Sequence, residues 1–147
     1  MSEAHEEIRN LLGRYCEAMD GADWPAVGAL FARARLTEEH GHVVAEGAEA
    51  VQALYEGGTR LHDGSPGTRH VTSGSIIDLD PDGRGASVRS SYVVLQAAPG
   101  LPLQPIISGR YRDRFAPGPD GWHFTERCFL VDQVGDLSHH LTYTLDL

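Results

Sequence analysis

The chain contains no lysine: all 12 of its basic residues are arginine. Without a side-chain primary amine, Schiff-base catalysis, a pyridoxal phosphate anchor and a phosphate-loop lysine are excluded. Cysteine is almost as scarce. Cys16 and Cys128 are too few for a disulfide scaffold and too far apart for a Cys-x-x-Cys zinc or redox pair, so both are expected as thiols on core faces. No apolar run approaches the roughly 20 residues that cross a bilayer, and the opening Met-Ser-Glu-Ala-His-Glu-Glu has no apolar stretch of a secretory signal. A cytoplasmic location with no membrane partner is the expectation. Basic charge is also in deficit. Subtracting 21 acidic from 12 basic residues gives the formal net charge of -9, a field that repels nucleic-acid backbones and anionic lipid surfaces. Nor is there a Gly-rich loop between a strand and a helix, the mark of a nucleotide site.

What remains is the composition of one soluble globular domain spanning 1–147, with 41% hydrophobic and 22% charged residues. Ile8, Leu11, Leu12, Tyr15, Cys16 and Met19 recur at steps of three and four, which predicts an amphipathic helix. Ser2 is its expected N-cap, and Gly21 is expected to supply the left-handed residue that ends it. Asp23 then caps a second helix, with Pro25 in its first turn and Trp24, Val27, Leu30 and Phe31 on its apolar stripe. Short strands at 35–38 and 43–46 flank His40-Gly41-His42, a hairpin tip whose glycine can adopt positive φ. A third helix is expected at 48–56, stopped by Gly57-Gly58, followed by a polar loop at 59–67.

Beyond that loop the pattern turns to alternating β-branched segments, predicting strands at 68–79, 86–96, 106–115 and 122–132 in sequential antiparallel pairing. A Pro-rich loop is expected at 99–105, and the tail from Val134 has no decisive period. Helices early and a meander late argue for an α+β domain. A strongly twisted sheet curling over its helices encloses a cavity between the layers.

Two residues could do chemistry in that cavity. Asp20 lies four residues after Cys16, on the inward face of the first helix at its end. A carboxylate aimed into an apolar layer needs a partner, or its pKa rises toward the range of a useful base; the alternative is that Asp20 simply turns the helix end in solvent. His70, near the start of the first long strand, is the natural partner and can act as donor, acid or base near neutrality. Other signals are weaker. His40, His42 and Glu46 have the H-x-H-x-x-x-E spacing of metal-binding cupins, but the flanking glycines and strand of that pattern are missing, so a solvated hairpin tip is expected and no metal is assigned. His62, His139 and His140 read as loop or tail residues. Arg110, Arg112 and Arg114 share an outward strand face suited to ion pairs, whereas the direction of Arg127 is left open by the alternation around Cys128.

The segments Tyr15-Cys16-Glu17-Ala18-Met19-Asp20-Gly21-Ala22-Asp23-Trp24, Gly67-Thr68-Arg69-His70-Val71-Thr72-Ser73, Gly109-Arg110-Tyr111-Arg112-Asp113-Arg114-Phe115 and Gly121-Trp122-His123-Phe124 together resemble the nuclear-transport-factor-2-like superfamily, and within it the SnoaL-like branch. The resemblance implies a cone-shaped α+β fold in which a curved, mostly antiparallel sheet wraps three N-terminal helices. It also implies a homodimer or homotrimer. That superfamily holds dehydratases, dehydrochlorinases, isomerases, epoxide hydrolases and polyketide cyclases, but also non-catalytic small subunits of ring-hydroxylating dioxygenases, so fold alone does not give function. In its dehydratase and dehydrochlorinase members an Asp and a His at the positions matching Asp20 and His70 form a proton-abstracting pair. The expectation is therefore an acid-base enzyme without cofactor, a dehydratase, isomerase or cyclase, acting on a small apolar polyketide- or terpenoid-like substrate. Asp20 and His70 would be catalytic, with Tyr15, Trp24, Tyr55, Tyr92 and Ser108 around the substrate. The alternative is a binding or structural subunit in which the pair only hydrogen-bonds within the core.

Overall fold

Eighteen residues of the first segment carry their apolar positions on one stripe, and they form α1 (Glu3–Asp20) with Ile8, Leu11, Leu12, Tyr15 and Met19 buried. The computed structural model describes residues 3–145; the expected N-cap Ser2 lies outside them. At the other end the helix closes in a Schellman motif, with the Asp23 N–H donating to the Ala18 carbonyl at 2.9 Å and the Ala22 N–H to the Met19 carbonyl at 3.2 Å. The left-handed residue of this motif is Ala22, at φ 52, and not Gly21. The 6→1 and 5→2 bonds place it at C′, and the sequence reading set the helix end one residue early.

Helix α2 (Trp24–Leu30) begins at once, the Asp23 side chain accepting from the Ala26 N–H at 3.2 Å as a cap does. Strands β1 (Arg35–Thr37) and β2 (Val43–Glu46) pair antiparallel around a tip where Gly41 takes φ 81. Helix α3 (Ala48–Gly58) runs through both of its terminal glycines, so Gly57-Gly58 ends the helix from inside.

The remaining strands are β3 (Thr68–Leu79), β4 (Ala86–Ala98), β5 (Leu101–Gly118) and β6 (Gly121–Val134). They form the expected antiparallel meander, extended by β1 pairing parallel to β6, so the six-stranded sheet has the order β2-β1-β6-β5-β4-β3. The Pro-rich loop expected at 99–105 is absent: β4 and β5 reach to within two residues of each other at Pro99-Gly100. Pro102 and Pro105 are tolerated because the pairing of β5 with β6 begins only at Ile107, leaving the start of β5 with an unpaired side. Register shifts at Ser73/Ile76, Val94/Leu95, Ser108/Gly109 and Arg114/Phe115 mark bulges along the meander. Each adds local twist, and together they curl the open sheet around its helices. This is the α+β architecture expected from the sequence.

The core lies between the sheet's inner face and α1 to α3, around Ile8, Val27, Phe31, Val51, Ile106 and Phe124. Within it sits an ion pair: Arg127 donates from Nε and Nη2 to the two Asp113 oxygens, both at 2.8 Å, with the side chains 1% and 0% exposed. The guanidinium carbon lies 3.6 Å from the Tyr111 ring centroid and 4.4 Å from that of Tyr15. Burial works against its charge, but the Asp113 carboxylate holds the Arg127 pKa above its usual value. On the opposite face Arg110 pairs with Asp132 and Arg114 with Asp80, as an outward ion-pairing surface requires.

Two stability outcomes follow. Ala22→Gly relieves a left-handed alanine and is expected to stabilise the chain by about 1 kcal/mol in urea denaturation. Asp113→Ala leaves a buried cation unpaired and should cost about 3–5 kcal/mol in the same assay.

Candidate functional site

The end of α1 points its last residue at the start of β3. The Asp20 carboxylate accepts from Thr68 Oγ1 at 2.9 Å and from the His70 backbone N–H at 2.8 and 3.1 Å. It also lies 2.6 Å from His70 Nδ1. With Nδ1–H donated to the carboxylate, the imidazole is fixed as a single tautomer and Nε2 carries the lone pair. Burial raises the Asp20 pKa, but the hydrogen bond and charge of His70, aided by Thr68, outweigh it, so the carboxyl is held below its ordinary value of 3.8. Asp20 is ionised at neutral pH and oriented by β3. Along that strand His70 alone is buried.

His70 lines a cavity of about 150 Å³ between the sheet, α1, α3 and the segment after β6, with Asp20 behind it on the Nδ1 side. An apolar cavity of that order accommodates a single aromatic ring. Met19, Leu54, Val94, Ile107 and Phe129 are among its walls. Tyr15, Tyr55 and Tyr92, expected around a substrate, do line it. Tyr15 and Tyr55 place their hydroxyl oxygens 3.2 Å apart, so one donates to the other and one hydroxyl proton is left over for a ligand. Burial and the neighbouring Tyr15 raise the Tyr55 pKa, although Arg127 works the other way, and the hydroxyl stays a proton carrier. The Tyr92 hydroxyl is committed to the Leu130 carbonyl at 3.1 Å, and its ring stacks on Tyr111 at 4.5 Å.

Two expected pocket residues are elsewhere. Trp24 is buried in the core, 6% exposed, on the α2 stripe and away from the cavity walls. Ser108 donates to Gln133 Oε1 at 2.7 Å on the other side of β5, while its neighbour Ile107 takes the inward position. His40, His42 and Glu46 are exposed around the β1–β2 hairpin, where the Glu38 carboxylate accepts from the backbone of both histidines. No cluster of three metal-ligating side chains occurs among the described residues. Cys16 and Cys128 are partly buried free thiols, Cys16 Sγ lying 3.4 Å from Thr72 Oγ1.

The family model of the SnoaL-like domain matches residues 1–128. The chain belongs to the SnoaL-like family. Solved structures agree at the level of fold. An NTF2-like protein with a cystatin-like fold from Novosphingobium aromaticivorans is 24% identical, with 88% of this chain and 82% of that chain covered and a TM-score of 0.72. ActVI-ORFA from Streptomyces coelicolor is 17% identical over 90% of this chain and 100% of its own, also at 0.72. A candidate scytalone dehydratase from Novosphingobium aromaticivorans is 22% identical, covering 95% and 87%, again at 0.72. A search of curated proteins returns no match. No helix among the described residues is long and apolar enough to cross a membrane.

One wall of this SnoaL-like cavity comes from a segment that carried no sequence signal. Leu137, His140, Leu141 and Tyr143 all line it, so His140 is a cavity residue and not a tail residue. Its ring centroid lies 6.4 Å from that of His70. Burial, and then the charge of His70, push its pKa down to about 4. The unfolded chain therefore takes up this proton first, and stability present above pH 6.5 is lost as pH falls toward 4. The loss should total about 3 kcal/mol. Asp20 acts in the same sense only lower, below its ordinary 3.8. Urea midpoints at pH 7, 5.5 and 4 test this, and the fall between the first and last should shrink in His140→Leu.

Proposed function

We propose that this SnoaL-like chain is an acid-base enzyme that moves a proton on a small, largely apolar substrate carrying one ring, in an elimination, isomerisation or cyclisation. His70 is the base and Asp20 its orienter. The observation that carries this reading is the 2.6 Å contact between Asp20 and His70 Nδ1 at the wall of an apolar cavity. A base needs an unprotonated nitrogen within reach of the substrate, and fixing Nδ1–H to a carboxylate both exposes Nε2 and stabilises the imidazolium formed on proton transfer. The low-dielectric surroundings strengthen that stabilisation. The fold neighbour named as a scytalone dehydratase supports the same class. The unused proton of the Tyr15–Tyr55 pair is a donor for charge that develops on the substrate.

A panel of small cyclic ketones and hydroxy ketones, incubated in D2O and followed by NMR, reads out deuterium uptake next to the carbonyl and loss of the hydroxyl. Wild type should turn over at least one of them. His70→Ala should reduce kcat on the order of 10²–10⁴-fold, and Asp20→Asn should lower kcat with a smaller change in KM, in folded protein. Undiminished turnover in both variants would remove the proposal.

A further inference from the structure

The segment after β6 is held in place mostly through its own carbonyls and amides. Gln96 Nε2 donates to the His139 carbonyl at 2.9 Å, and the Arg60 N–H donates to the His140 carbonyl at 2.7 Å. Arg60 Nε donates to the Leu141 carbonyl at 2.8 Å and the Thr142 N–H to the Gly58 carbonyl at 3.0 Å. Pinned on both sides, the His140 side chain is not free to swing, and its residue is 7% exposed.

The two imidazoles in the chamber differ in polarity. His70 gives its Nδ1–H to Asp20, so its lone pair is on Nε2, and the residue lines the cavity. In His140 it is Nδ1 that is sealed off without a partner, while the ring lines the cavity, which leaves Nε2 as its polar contact with the chamber. A neutral imidazole has one N–H to place. Placing it on the sealed nitrogen would orphan a buried donor, a rarer and costlier state than an orphaned lone pair. Burial among apolar walls disfavours carrying a second proton.

We infer that His140 is a neutral hydrogen-bond donor, through Nε2–H, for a carbonyl or hydroxyl oxygen of the molecule whose proton His70 removes. This rests on the proposed function and narrows its substrate class to ring compounds with an oxygen beside an acidic C–H. When that C–H bond breaks, its proton goes to His70 Nε2 and its electron pair forms a C=C bond. The C=O π pair shifts onto oxygen, and no oxidant or co-reactant is needed. The negative charge arising on oxygen shortens its bond to His140, which stabilises the transition state more than the ground state. The oxygen's electron pair then re-forms C=O in one of two ways: the enolate takes the proton back from His70 at another carbon, or its C=C pair expels a hydroxyl from the neighbouring carbon, which leaves with the His70 proton as water.

Long-range 1H–15N spectra of the uniformly 15N-labelled protein read each tautomer directly, with His70→Leu and His140→Leu assigning the two sets of signals. His140 should be the Nε2–H tautomer and stay neutral from pH 7 to 5, while His70 should be the Nδ1–H tautomer. An Nδ1–H tautomer or an imidazolium at His140 in that range overturns the inference while leaving the dyad intact. On a ketone turned over by wild type, His140→Leu should lower kcat on the order of 10²-fold, and His140→Gln, which keeps a donor, should recover part of it. Thermal unfolding of His140→Leu at neutral pH should show no loss of stability, because the substitution removes a sealed polar atom. Unchanged kcat in His140→Leu also overturns the inference. Unchanged turnover in His70→Ala beside the expected His140 tautomer overturns the dyad instead.

Discussion

One carboxylate ties the first helix to the sheet. Asp20 is the last residue of α1, and every hydrogen bond it accepts comes from the first three residues of β3. The helix end supplies the direction: the Schellman closure on Ala22 fixes where the side chain leaves the backbone. The strand supplies the donors. A half-buried carboxylate is costly to desolvate, and charge-assisted bonds from a hydroxyl, a backbone N–H and an imidazole offset that cost. The tautomer of His70 follows from it, and it seats the end of α1 on the sheet as Glu7, accepting from the Trp122 N–H at 2.8 Å, seats its start.

Beneath the cavity, the Asp113–Arg127 pair plays a different part. Replacing such a pair by apolar residues is often neutral or stabilising, so its presence says more about specificity than about stability. Here the guanidinium lies against the rings of Tyr15 and Tyr111, and those rings in turn meet Tyr55 and Tyr92. A cation behind an aromatic layer fixes the rings' faces and orders the hydroxyls in front of them. The polar side of the chamber is thereby arranged from within the core.

Much of this was legible in the chain. Helical spacing from Ile8 to Met19 and the alternation of the meander carried the architecture, and the step from Cys16 to Asp20 placed an acid on the inward face. The pairing of Asp113 with Arg127 was also readable in part: Tyr111, Asp113 and Phe115 alternate inward, and a buried carboxylate demands a cation on the next strand. The bulge at Arg114/Phe115 hid it by breaking the alternation opposite. Trp24 and Ser108 were misplaced because periodicity tells inside from outside but not cavity wall from solid core. The wall formed by 137–143 left no pattern at all, since its attachments are mostly carbonyls and amides that any sequence offers.

The double duty proposed for the acid on α1 has an evolutionary side. A lineage that abandons turnover and takes up a new ligand still has reason to preserve that aspartate, because it hydrogen-bonds the end of α1 to β3. The imidazole side chain receives support and gives less of it. On the proposed function, its replacement in descendants of this chain, and not the aspartate's, would mark a vanished reaction.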